Sequence, residues 1–155
     1  MNKAYTAAVN RLVAHSGRTV TVSVDGKKFE ANAGKVANAL IGAKILTSNA
    51  NGPADAKGTE DSRASTYGGG FDSRNGVLDY QPQTTIYRNA IEYDRARKSL
   101  SISADLSRTF IHEGIHMLPD ETVLYNLYYN HPAKYMHDHQ HSFNNASSQL
   151  FDDHK

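Results

Sequence analysis

Cysteine is absent from the chain. No disulfide can brace the fold and no thiolate can hold a metal, so any metal site must be built from His, Asp or Glu. Long apolar runs are also missing. Nothing approaches the ~18 apolar residues of a membrane-spanning helix, and no membrane span is expected. Charge of one sign is not in excess: 17 basic side chains face 16 acidic ones, for a net charge of +1. That balance gives no electrostatic case for nucleic acid or an anionic membrane as partner. No apolar segment of signal-peptide type precedes Val9-Asn10-Arg11, so no cleavable signal peptide is expected. A chain without cysteine suits an oxidising destination and a cytoplasmic one alike. The expectation is export by a route without an ordinary signal peptide, or otherwise a cytoplasmic location. No internal repeat is visible.

What is present fits one domain over residues 1–155. Residues 3–15 read as a short helix, and the alternation from Arg18 to Val24 reads as a strand. Asp25-Gly26 is a hairpin turn that returns Lys27–Ala31 as a second strand. Gly34–Leu46 reads as a helix with Val36, Ala37, Leu40, Ile41 and Ile45 inward. A Gly/Ser/Asn-rich stretch at about 48–76 reads as a long flexible loop, with Gly68-Gly69-Gly70 its most flexible point. Val77–Tyr80 and Thr84–Tyr93 read as strands, with a short apolar segment at Ser99–Ser103. Asp120–Asn130 reads as a helix ended by His131-Pro132. Ser142–Phe151 reads as a short last helix.

The segment before Pro119 carries the chemistry. His112-Glu113-Gly114-Ile115-His116 matches H-E-x-x-H. At about 3.6 residues per turn, positions i and i+4 lie one above the other, so two imidazoles can grip one ion from one helix face. Glu113 lies beside that face and can reach a water at the metal without being a ligand. Pro119 stops the helix, Ser101 or Ser103 can cap its start, and Asp105 suits the first turn. Leu106, Phe110, Ile111, Ile115, Met117 and Leu118 make its other faces apolar, which predicts a buried helix. Polar side chains on such a helix need partners, since burying them unpaired costs several kcal/mol. The competing reading is a helix with two hydrogen-bonded or exposed histidines and an incidental glutamate.

His112-Glu113-Gly114-Ile115-His116 resembles the motif of the zincin metallopeptidases. That resemblance covers one helix and the segment after it. It implies an α+β, zincin-like fold: a small antiparallel or mixed sheet packed on a buried HExxH helix, with further helices C-terminal to it. It implies zinc on His112 and His116 with Glu113 as general base. It also implies a strand edge that pairs with extended substrate, at Thr84–Tyr93 or Ser99–Ile102. The short chain and Asp120-Glu121-Thr122-Val123 resemble the compact zinc peptidase domains of secreted bacterial effectors and toxins. A toxin of that type implies an inhibitor or immunity protein as a second partner.

A catalytic zinc takes three protein ligands and one open position. The motif supplies two. The candidates for the third are Asp120, Glu121, His137, Asp138, His139 and His141. Glu121 is favoured, because the chain turns at Pro119 and its long side chain can reach back. His137 is the alternative, with His139 and His141 behind it. In the stretch Met136–His141, His137, His139 and His141 alternate with Asp138 and Gln140, at a distance from the motif that resembles the third-ligand spacing of glutamate-type zincins, although it holds no Glu; the competing reading is a solvated polar loop. The metzincin pattern is not met, because Pro119 and Thr122 stand where that family has Gly and His. Tyr125, Tyr128, Tyr129, Tyr135 and His139 are candidate donors to an oxyanion. The expected function is zinc-dependent hydrolysis of a peptide bond in a peptide or protein substrate. The alternative is a metal-binding or interaction module without turnover, which has no need of a carboxylate at Glu113.

Overall fold

The structure is a computed structural model, and it describes residues 2–48, 64–67, 71–72, 77–78, 83–87 and 102–152. It is mixed α+β. Helix α1 (Asn2–Ala14) leads into a hairpin of β1 (Thr19–Val24) and β2 (Lys27–Asn32). Asp25 (φ 51°) and Gly26 (φ 82°) form its turn, the left-handed pair that matches strand twist. Val20, Val22 and Val24 point inward, and Thr19, Thr21 and Ser23 point outward. Helix α2 (Ala33–Gly42) starts on Asn32, whose side chain accepts from the Lys35 amide at 3.0 Å, a helix cap that satisfies an otherwise unpaired N–H.

The helix expected at Gly34–Leu46 ends early. Gly42 closes it, and the chain re-enters as β3 (Lys44–Ser48). Ile45 and Leu46 pair with Thr84 and Thr85 of β7 (Gln83–Tyr87) in parallel register, so sheet pairing overrides a local helical pattern. On its other side β7 pairs antiparallel with β4 (Ala64–Tyr67). β7 is therefore the central strand of a three-stranded mixed sheet. Its residues are not the free edge expected for substrate; residues 88–101 lie outside the described residues. Two short strands, β5 (Phe71–Asp72) and β6 (Val77–Leu78), form a separate pair. Most of the loop expected at 48–76 lies outside the described residues, but β4 and β5 fall within that span and are strands.

Helix α3 (Ile102–His116) carries the motif. Leu106, Phe110, Ile111 and Ile115 are buried on it, followed by Met117 and Leu118. It packs against α1, α2 and the last helix, and touches β4. Gly114 faces α2: a Cβ there would stand 2.8 Å from Val36 Cγ1 and 3.0 Å from Leu40 Cγ, so only glycine admits this approach. Tyr5 of α1 donates to the Leu40 carbonyl at 2.9 Å and meets the Phe110 ring edge-on at 5.5 Å. The Ser107 hydroxyl donates to the Ala4 carbonyl at 2.9 Å. These contacts lock α1, α2 and α3 together.

After Leu118 the chain makes a 3-10 turn (Pro119–Leu124), then α4 (Tyr125–Asn130) and α5 (Pro132–Asp152). The region expected as one helix over Asp120–Asn130 is thus split. Pro132 begins a helix as well as ending one, because its fixed φ suits the first helical turn. The last helix was expected at Ser142–Phe151, and it instead runs for 21 residues. It lies across α3 and the hairpin. At its far end the Arg108 guanidinium of α3 meets both Asp152 oxygens at 2.9–3.0 Å, and Arg11 Nε donates to the Phe151 carbonyl at 2.8 Å. Phe143 in its middle is fully buried and meets Phe29 of β2 edge-on at 6.0 Å. No helix among the described residues is long and apolar enough to cross a membrane.

Candidate metal centre

One turn of α3 separates His112 from His116, and their Nε2 atoms approach to 3.2 Å. Helix α5 brings in a third imidazole. Tyr135, His139, Phe143, Ala146, Ser147 and Leu150 form its buried stripe, at the i, i+4 and i+3 steps of a helix face. One ring nitrogen from each of His112, His116 and His139 lies within 4.8 Å of the others. The three histidines are close enough to bind one metal ion. Tetrahedral coordination at the usual zinc–nitrogen distance separates ligand nitrogens by about 3.3 Å. The His112–His116 pair already stands at that separation.

The other nitrogen of each ring is held from behind. His112 Nδ1–H donates to Asn144 Oδ1 at 2.8 Å, His116 Nδ1–H to Glu121 Oε1, and His139 Nδ1–H to the Tyr135 carbonyl at 2.9 Å. A carbonyl or carboxylate oxygen can only accept. Each partner therefore puts the proton on Nδ1 and leaves the Nε2 lone pair for a cation. Phe143 stacks on His116 at 4.3 Å, and Tyr135 stacks on His139 at 4.6 Å with its ring nearly parallel. The rings cannot turn without displacing these neighbours.

The electrostatics point the same way. Burial pushes the His116 pKa down, but the charge and hydrogen bond of Glu121, helped by the charge of Glu113, outweigh it and leave the pKa above its ordinary value. Surroundings that favour a proton on His116 favour a metal cation there too. Glu113 is buried, 5% exposed, in the same turn as His112, and its charge is felt at both His116 and Tyr135. Glu113 and Glu121 are two buried carboxylates around the three imidazoles, and their negative charge suits a divalent cation held between the rings.

The remaining expected residues lie elsewhere. Glu121, the favoured third ligand, sits in the 3-10 turn with its carboxylate on the Nδ1 side of His116, behind the ring. It also accepts the Tyr135 hydroxyl at 3.2 Å. His137, the alternative, points to solvent with its side chain 89% exposed and pairs with Asp138. His141 is exposed beside Asn145, and Asp120 is exposed. The cause is that Met136–His141 lies within a helix. A helix puts residues two apart on nearly opposite faces, so His139 turns inward while His137 and His141 turn out. The signal was in the sequence, as the spacing of Tyr135, His139, Phe143 and Leu150. Among the candidate oxyanion donors, Tyr125, Tyr128 and Tyr129 are exposed, and Tyr135 is committed to Glu121 and pushed far above its ordinary pKa by burial.

In comparison with known proteins, no family model, curated protein or solved structure matches this chain.

Proposed function

We propose that the protein is a zinc-dependent hydrolase of peptide bonds. His112, His116 and His139 hold the ion, and Glu113 is the general base. The observation that carries the reading is the convergence of three back-held imidazoles beside a buried glutamate on the motif helix. Three neutral nitrogen ligands and no thiolate are a donor set that zinc accepts while keeping one position open. A bound ion would supply there a water of lowered pKa and a polarised scissile carbonyl. Glu113 would accept a proton from that water and pass it to the departing amine. The imidazoles stay fixed, held by Asn144, Glu121 and the Tyr135 carbonyl. A metal site with no turnover would have no use for a buried carboxylate at Glu113, and this favours the enzyme over a binding module.

The test is elemental analysis of the purified protein, beside hydrolysis of an unstructured protein before and after chelation. Activity should vanish on chelation and return with zinc. Glu113→Gln should keep the metal and lose turnover by about 100- to 10,000-fold, since the amide keeps the shape but cannot take the proton. Turnover near the wild-type rate in that variant would move the base elsewhere.

A further inference from the structure

Glu121 is a charged residue 8% exposed, so its carboxylate needs partners that repay the loss of water. It has two. Oε1 takes the Nδ1–H of His116 and the hydroxyl of Tyr135. Tyr135 in turn lies flat on His139 and offers its own carbonyl to His139 Nδ1. One residue, Tyr135, thus touches both the partner of one candidate ligand and the ring of another. The 3-10 turn that carries Glu121 is packed on β2, and α5 carries Tyr135. The pair therefore joins elements on two sides of the cluster.

We infer that Glu121 and Tyr135 are positioning residues of the metal site: Glu121 sets the tautomer and direction of the His116 ring, and Tyr135 fixes Glu121 and His139 together. The inference rests on the proposed metal reading and deepens it. A carboxylate behind a ligating imidazole makes the ring a stronger donor and prevents it from turning. Here the hydroxyl of Tyr135 also steadies the carboxylate, so the ring, the acid and the tyrosine act as one unit. Glu121 never enters the coordination sphere in this arrangement.

Chelator competition for zinc, made on the full chain, tests the role. Glu121→Gln keeps the shape and loses the charge, and it should bind zinc about 10- to 100-fold more weakly than wild type. Tyr135→Phe should show a smaller loss in the same direction. Cobalt absorption separates a positioning residue from a ligand. Replacing zinc by cobalt in wild type and Glu121→Gln should give bands of the same position and intensity. Bands that shift as an oxygen ligand is removed would make Glu121 a ligand and overturn the inference, and so would unchanged zinc affinity in Glu121→Gln. A third readout works without metal. Nitrogen chemical shifts of His116 at alkaline pH should report the Nδ1–H tautomer in wild type and a shift toward Nε2–H in Glu121→Ala. The same tautomer in both would overturn the inference. Wild-type protein that binds no zinc, with the tautomer change still present in Glu121→Ala, would overturn the metal reading and the role at a metal with it, and would leave only the finding that Glu121 sets the His116 tautomer.

Discussion

His139 and His137 lie two residues apart on one helix, and helical geometry gives them opposite surroundings. His139 is 4% exposed, packed under Tyr135 and across from His112 and His116. His137 stands in solvent. Side chains that differ only in phase should therefore differ in effect. His139→Ala should weaken zinc binding by roughly one to three orders of magnitude, because two imidazoles and waters hold the ion poorly. His137→Ala and His141→Ala should bind as wild type does. Chelator competition across the three variants decides the assignment. Normal affinity in His139→Ala with a loss in His137→Ala would mean that α5 turns its other face to the metal. Phe143 should matter for a different reason. It stacks on His116 and is fully buried, so Phe143→Ala opens a cavity and should cost about 3–5 kcal/mol of stability.

At the scale of elements, the close approach of α2 and α3 at Gly114 is a place to intervene. Gly114→Ala gains about 1 kcal/mol of helix propensity. It also drives a Cβ to 2.8 Å from Val36 Cγ1, and a β-branched side chain has little rotamer freedom with which to yield. Overpacking of this kind costs about 1–3 kcal/mol, so the variant should be less stable by ~1 kcal/mol, and Gly114→Val by more. Urea unfolding of the metal-free protein measures this, and Val36→Ala in the same chain should recover the loss. A Gly114→Ala protein more stable than wild type would contradict the close approach. The elements also show what could be read in advance. Asp25-Gly26 and the valine alternation specify the hairpin locally, and the HExxH helix announces itself by motif, apolar faces and Pro119. Three features were not legible. Ile45 and Leu46 owe their strand to Thr84 and Thr85, distant in sequence. The parallel partner that covers β7 cannot be inferred from β7. The inward turn of His139 is not legible within the histidine stretch itself, because the phase that separates it from His137 and His141 is set by Tyr135, Phe143 and Leu150 outside that cluster of histidines.

For the whole molecule, the cluster lies where α3 and α5 pack on one another. His112 and His116 come from α3, held by α1 and α2; His139 comes from α5, held by the hairpin and by Arg108 at Asp152. A bound ion would cross-link these two units. The unfolded chain has no preformed three-nitrogen site, so the ion binds the folded state and stabilises it by mass action, about 2.7 kcal/mol at a free concentration 100 times Kd. For a chain of this size that is a rise in Tm of roughly 5–10 °C. Thermal unfolding with zinc and with chelator should show this shift in wild type. Glu113→Gln should show it too, because the proposed site assigns Glu113 to the water and leaves the ion to the three histidines. His139→Ala should lose most of it, since the ion then engages α3 alone and no longer links α3 to α5. Hydrogen exchange should localise the effect, with added protection at both Phe110–His116 and Tyr135–Phe143 in the zinc-bound wild type. A shift as large in His139→Ala as in wild type, or protection gained on α3 without α5, would show that the two helices are not joined through the metal.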